Sequence, residues 1–167
     1  MTLPKEITDL NAIDSLGTAF VGLQLFQLLS IIEYQGNTLL ASRGIDIPSR
    51  SGSTTLFLLK KGAVTVTGLA RFLGMSHQLA SHRIKDLKKS GLVKEKKDPK
   101  DLRRSHIVLS KKGEVVAREI EKISQEIEMV YADIFKEIGV DLYDALKKAK
   151  AALAEQSLSL RMSRSKS

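Results

Sequence analysis

Between Thr65 and Ser110 the chain alternates short helix-forming runs with glycine stops, and that spacing leaves little choice of fold. The run TVTGLARFLG carries a threonine, Thr65 or Thr67, able to cap a short helix, and a glycine, Gly74, able to end it. After the turn GMS, Ser76 caps a second run, SHQLASHRIKDLKKSG, closed by Gly91. Two short helices joined by so tight a turn cross steeply, which is the geometry of a helix-turn-helix. LVKEKK and SHIVL follow, two β-rich pieces on either side of DPKDLR. With Ile107 and Leu109 on one face, they predict a hairpin packed against the helices.

The flanks read as longer helices. From about Asp14 to Ser42 the pattern is helical, with Leu16, Phe20 and Leu23 at helical spacing and Gly36 and Gly44 bracketing a fraying end. Pro48 opens the polar stretch SRSGSTT, and Leu56 to Leu59 form a further helix stopped by Gly62 after two lysines. Beyond Ser110 the residues Val116, Ile120, Ile123, Ile127, Val130 and Ile134 repeat at alternating steps of four and three. That heptad stripe demands a partner along its length. Gly139 breaks it, and a final helix carries Leu142, Leu146, Ala149 and Leu153. Residues 158–167 are expected to be a disordered basic tail. Leu16 to Ile32 is uncharged, but it sits at the short end of spanning length and contains Gln24 and Gln27, so a buried helix in a dimer core explains it better than a membrane span.

Charge is distributed unevenly. The formal net charge is +8, yet residues 60–112 hold 15 basic and 4 acidic side chains while both flanks are slightly acidic. Charge focused this way points to a face that binds a polyanion rather than to solubility alone.

The order of elements is helix, helix, helix-turn-helix, β-wing, long helix, helix. Together with the segments GAVTVTGLARFLGMS, DLKKSGLV and DPKDLRRSHIVLSKKG, that order resembles the MarR family of winged helix-turn-helix transcriptional regulators. The last segment matches the family's wing signature: Asp-Pro, then Asp-x-Arg, a strand ending in Leu, then Ser/Thr-x-x-Gly opening the long helix. The match is good over about residues 56–116 and architectural elsewhere. The expected fold is mostly α with a small β-wing, dimerised through its N- and C-terminal helices. Residues 1–47 and 111–157 would form the dimerisation helices and 48–110 the DNA-binding lobe. The resemblance implies a homodimer on a palindromic double-stranded operator, and often a small-molecule effector pocket between dimer base and lobe.

The DNA-facing residues follow from helix geometry. At about 100° per residue, Ala80, Ile84 and Leu87 form one buried apolar stripe. The opposite face then carries Gln78, His82, Lys85 and Lys89, with Ser81 on its flank and Ser76 and His77 at its start. Early residues of that face reach base edges, so Gln78, Ser81 and His82 are candidate base contacts, while Lys85 and Lys89 meet phosphates. The family pattern has Thr-Arg where this chain has Ser81-His82, so a strong guanine reader is missing there. Arg83 lies closer to the buried stripe and is expected to snorkel toward a phosphate. On the wing, Asp98-Pro99 suits a type I turn, Asp101 can brace Arg103, and Arg103 with Lys100 and Arg104 would enter or flank the minor groove.

Other chemistry finds little support. The chain has no cysteine, which removes disulfides and thiolate metal sites. Its three histidines are poorly spaced for a shared metal, no carboxylate cluster completes a site, and HExxH, Walker and GxGxxG motifs are absent. Neither a cofactor nor an enzymatic activity is expected. MTLPKEITDL lacks the order of a secretion signal, so a cytoplasmic location is expected. Phe20, Leu23, Thr54 and Phe57 are candidate ligand-pocket residues. Gly52, Ser53, Thr54 and Thr55 replace the family's apolar run, and an exposed or loosely wound first turn is the favoured reading of them. The alternative function is a protein-interaction adaptor that keeps the winged fold without operator specificity.

Overall fold

A computed structural model describes residues 13–97 and 105–164. Seven α-helices and one hairpin occur among them: α1 (Val21–Ser42), α2 (Gly52–Lys61), α3 (Val66–Leu73), α4 (His77–Lys89), β1 (Val93–Lys97), β2 (Ser105–Leu109), α5 (Lys111–Ile138), α6 (Leu142–Glu155) and α7 (Leu158–Arg164). No helix among the described residues is long and apolar enough to cross a membrane. The chain divides into two compact units, Met1–Glu121 and Lys122–Ser167, the division falling within α5.

In the first unit the local signals around the helix-turn-helix act as expected. Thr65, rather than Thr67, caps α3 by accepting a hydrogen bond from the Gly68 amide at 3.0 Å, and Ser76 caps α4 through the Leu79 amide at 3.1 Å. Gly74 ends α3 in the left-handed region (φ 61°), where a side chain would be strained. Leu69, Ala80, Ile84, Leu87, Leu92, Ile107 and Ala117 are buried and supply the apolar core. β1 and β2 pair antiparallel from Val93↔Leu109 to Lys97↔Ser105. A third backbone piece joins them where Val64 and Ile107 exchange both amide hydrogen bonds, at 2.7 and 3.1 Å. The hairpin is thereby tied to the segment just ahead of α3.

Two expectations in this unit change. First, α1 does not fray at Gly36. It runs unbroken to Ser42, and Gly36 serves a close approach: a Cβ there would lie 2.8 Å from the Ser49 Cβ. Second, SRSGSTT is not an exposed or loosely wound turn. A short 3-10 turn at Ser49–Ser51 leads directly into α2, and Ser51, Thr54 and Thr55 are 0% exposed. Thr55 returns its hydroxyl to the Ser51 carbonyl at 2.9 Å, whereas the Ser51 and Thr54 hydroxyls are buried without a hydrogen-bond partner. The segment packs beside α5, where a Cβ on Gly52 would make ordinary contact with Ile120 at 3.7 Å. The heptad stripe, expected to need a partner along its length, is covered within one copy only in its first half. Ile120 and Ile123 are buried, but Val130 is 58% and Ile134 39% exposed.

The second unit comprises the rest of α5 with α6 and α7. Asp141 caps α6 through the Asp144 amide at 2.9 Å. The expected disordered tail is helical as far as Arg164. Two local devices account for it: the Ser157 hydroxyl accepts from the Leu160 amide, and Arg161 donates to the carbonyls of Ala152 (2.7 Å) and Gln156 (3.2 Å). The guanidinium thus adds to the capping at the end of α6, where the Ala152 carbonyl also accepts from the Gln156 amide, while the next helix begins.

Candidate nucleic-acid interface

The sequence-derived face of α4 is present. Ala80, Ile84 and Leu87 are buried, and Gln78, His82, Lys85 and Lys89 are exposed on the other side, with His77 exposed at the start of the helix. Ser76 has its hydroxyl engaged in the cap, and Ser81 is half-buried with its Oγ 3.5 Å from the His77 Nδ1. Arg83 departs from expectation. Rather than snorkelling outward, it is half-buried and donates to the Ser53 hydroxyl of α2 at 3.4 Å. Burial, and then the charge of nearby Arg50, hold its pKa below the ordinary guanidinium value, with Glu33 opposing. Arg83 therefore ties α4 to α2.

The wing strand presents Lys94, Lys96 and Lys97, all exposed. Residues 98–104 lie outside the described residues, and with them the sequence-derived set Asp98, Lys100, Asp101, Arg103 and Arg104. What holds the strand to the recognition helix is the ion pair of Lys88 with Glu95, which sequence reading missed because the partners lie on different elements across the Gly91 turn. The Lys88 ammonium holds the Glu95 carboxyl below the usual carboxylate range. A depressed folded-state pKa stabilises above the unfolded-state value and loses that contribution as pH falls through the folded-state value. Both groups are substantially exposed, so the effect is small. The Glu95→Gln variant is expected to lose that part of the acid-side loss of stability, read by urea unfolding at a series of pH values below about 5.

The base of the wing is built from the Ser-x-x-Gly element. The Ser110 hydroxyl donates to the Gly91 carbonyl at 2.7 Å and accepts from the Gly113 amide at 3.0 Å, while the Ser110 amide donates to the Leu92 carbonyl at 2.8 Å. Lys112 adds a bond to the Ser90 carbonyl at 3.1 Å. One serine therefore caps α5 and clamps the turn between α4 and β1. Gly113 lets α5 start directly against that turn, since a Cβ there would stand 1.9 Å from the Leu92 carbonyl oxygen.

The four pocket candidates do not converge. Phe20 and Leu23 are exposed, and Thr54 and Phe57 are buried, Phe57 stacking on Phe72 at 4.0 Å between ring centroids. A cavity of about 460 Å³ lies instead beside the C-terminal half of α1, lined by Glu33, Asn37, Ala41 and residues 45–50. None of the four lines it. Part of its wall is fixed by Asn37, which accepts from the Ser49 amide at 2.7 Å. Among the described residues no group of three or more histidine, aspartate or glutamate side chains could hold a metal ion.

A helix-turn-helix whose second helix turns a polar face outward, flanked by an antiparallel hairpin seated on its core, is a winged helix. A model of the MarR family matches residues 50–104, the winged lobe of this chain. Solved structures share the fold over more of the chain. S. aureus MepR in complex with DNA aligns at TM-score 0.65 and 22% identity, covering 77% of this chain and 95% of that one. Streptococcus pneumoniae FabT in complex with DNA aligns at 0.61 and 18%, covering 82% and 97%. Reduced AbfR bound to DNA aligns at 0.59 and 20%, covering 83% and 95%. At these identities the likeness is one of fold. No curated protein matches the chain.

Proposed function

We propose that this chain is a homodimeric, sequence-specific regulator of transcription that binds a two-fold operator in double-stranded DNA and acts as a repressor. The observation that carries this reading is the outward face of α4, where Gln78, His82, Lys85 and Lys89 project opposite a buried apolar stripe, within the segment that holds the chain's excess positive charge. A polar helix face of this kind fits the major groove, and the wing lysines fit the flanking phosphates. That similar folds have been solved on DNA supports the same assignment. Exposed apolar side chains on α1, among them Leu23, Phe26 and Leu29, and others on α6 and α7, supply surface that a second copy would cover.

Selection of bound duplexes from a random pool tests the reading directly. The expected product is a two-fold motif with half-sites about one helical turn apart. Affinity should fall with salt at a log–log slope of roughly 0.9 per phosphate contacted. Arg103→Ala, on the wing segment, should weaken binding and flatten that slope while leaving the circular dichroism spectrum unchanged. A flat salt response, or equal affinity for all sequences, would overturn the proposal in favour of an adaptor without operator specificity. Reporter transcription with and without the protein checks the sign of regulation.

The cavity beside α1 favours a ligand-responsive form of this regulator. Its mixed wall of Glu33, Asn37, Asp46, Ser49, Arg50 and apolar Ile45 and Ile47 suits a small molecule carrying both polar and apolar groups. An effector should raise the melting temperature and release the operator together.

A further inference from the structure

We propose that Asp86 is a positioning residue for base readout: it holds the His82 imidazole with its hydrogen on Nδ1, so that Nε2 meets the major groove as an acceptor for the exocyclic amino group of adenine or cytosine. The inference rests on the DNA-binding reading above and specifies what one residue of that face recognises.

The geometry is on α4 itself. The His82 Nδ1 lies 3.2 Å from the Asp86 Oδ2, one helical turn on. The carboxylate is largely covered, at 20% exposure, and the imidazole stands out from it at 63%. An ionised carboxylate can only accept hydrogen bonds, so the nitrogen facing it must carry the hydrogen. In the neutral ring the other nitrogen is then an acceptor. Major-groove donors are confined to the adenine N6 and cytosine N4 amino groups, which are therefore the complementary edges. Lys85 and Lys89 share the face and serve phosphates, which leaves His82 to the bases.

The helix contains an internal contrast. His77 also has its Nδ1 near a side chain one turn on, the Ser81 hydroxyl at 3.5 Å. A hydroxyl can donate or accept, so that contact imposes no tautomer. Of the two histidines on α4, only His82 has its hydrogen placed by its partner.

Two measurements test the proposal. In nitrogen-resolved NMR spectra of the wild-type protein, recorded at a pH at which those spectra show the ring uncharged, His82 should carry its hydrogen on Nδ1. A hydrogen on Nε2 would overturn the proposal without reference to DNA. Duplex selection at the same pH should give, for the wild type, one pair per half-site with adenine or cytosine preferred. His82→Ala, on an exposed side chain, should fold normally and lose that preference alone, by roughly tenfold in discrimination. Asp86→Asn can turn its amide to donate to Nδ1, which moves the hydrogen to Nε2 and should shift the preference away from cytosine toward bases with a major-groove acceptor, guanine, thymine or adenine through N7. Should Asp86→Asn fail to fold, His82→Ala and the wild-type spectrum still decide. A wild-type motif unchanged in both variants overturns this inference and leaves DNA binding intact, whereas a wild type that enriches no duplex overturns both.

Discussion

Gly113→Ala should lower the free energy of unfolding by about 3 kcal/mol, the upper end of the range for forcing atoms into a packed site. A Cβ at this position would lie 1.9 Å from the Leu92 carbonyl oxygen and 2.9 Å from the carbonyl carbon. The backbone at Leu92 has no inexpensive way to retreat. Its amide donates to Leu87 at 2.9 Å, and its carbonyl accepts from Ser110 at 2.8 Å. Relief would have to come from moving the start of α5, which the Ser110 hydroxyl holds through Gly91 and Gly113. In urea unfolding at fixed protein concentration the midpoint should drop with little change in slope. Gly52→Ala provides the contrast. Its added Cβ makes ordinary contact with Ile120 at 3.7 Å in helical backbone, so it should be neutral or stabilise by about 0.5 kcal/mol. A Gly113→Ala protein as stable as the wild type would mean that the α4–β1 turn and the start of α5 are not locked together.

On the proposed homodimer, Phe26→Glu should leave a monomer and cut affinity for the proposed operator by about 10²–10⁴-fold, the range lost when two linked binding events become separate. Phe26 is 66% exposed on α1, in a run that also exposes Phe20, Val21, Leu23, Leu25, Leu29 and Ile32. So many apolar side chains on one helix need a cover, and a carboxylate at the centre of that cover would carry its full desolvation penalty. Sedimentation velocity reads the assembly state and a shift assay reads the affinity. Circular dichroism should remain that of the wild type, because Phe26 is not part of the buried core. If the variant remains dimeric, the interface lies on other apolar surface, of which the exposed Tyr143, Leu158 and Met162 are examples.

How far the sequence could be read depended on how local each signal was. The helix-turn-helix was legible in detail because a cap at Ser76, a left-handed stop at Gly74 and the stripe Ala80–Ile84–Leu87 each act within a few residues. The hairpin was legible because its strands are close in sequence and Ile107 and Leu109 share a face. On the recognition helix the spacing of His82 and Asp86 was visible, but nothing one-dimensional separates such a pair from two solvated side chains. Arg83 was misjudged for a related reason. A helical wheel places it at the border of the buried stripe, and only the position of Ser53 on α2 decides where its guanidinium goes.

The longer-range features lay beyond such reasoning. The polar run from Ser49 to Thr55 reads as solvent-exposed, yet Ser51, Gly52, Thr54 and Thr55 are buried while Arg50 and Ser53 remain exposed, because one face of the first turn of α2 turns inward. The tail beyond Glu155 reads as polar and basic, yet Arg161 finds the carbonyl ends of α6 and Ser157 starts another helix. The pocket candidates Phe20, Leu23, Thr54 and Phe57 follow from the resemblance, and residue type alone does not distinguish Phe57 inside the core from Phe20 outside it.

By itself, then, the amino-acid order determined the elements from α1 to α6, the α4 face and the concentration of positive charge around it, since caps, stops and periodicity are properties of neighbouring residues. Tertiary structure decided which glycine is indispensable, which arginine turns inward, where the cavity lies and which histidine has its hydrogen placed. Each of these depends on a backbone carbonyl, a hydroxyl or a carboxylate brought in across the fold or oriented by a helix turn, and hydrogen bonds and steric contacts at 2 to 4 Å are set by three-dimensional position rather than by composition.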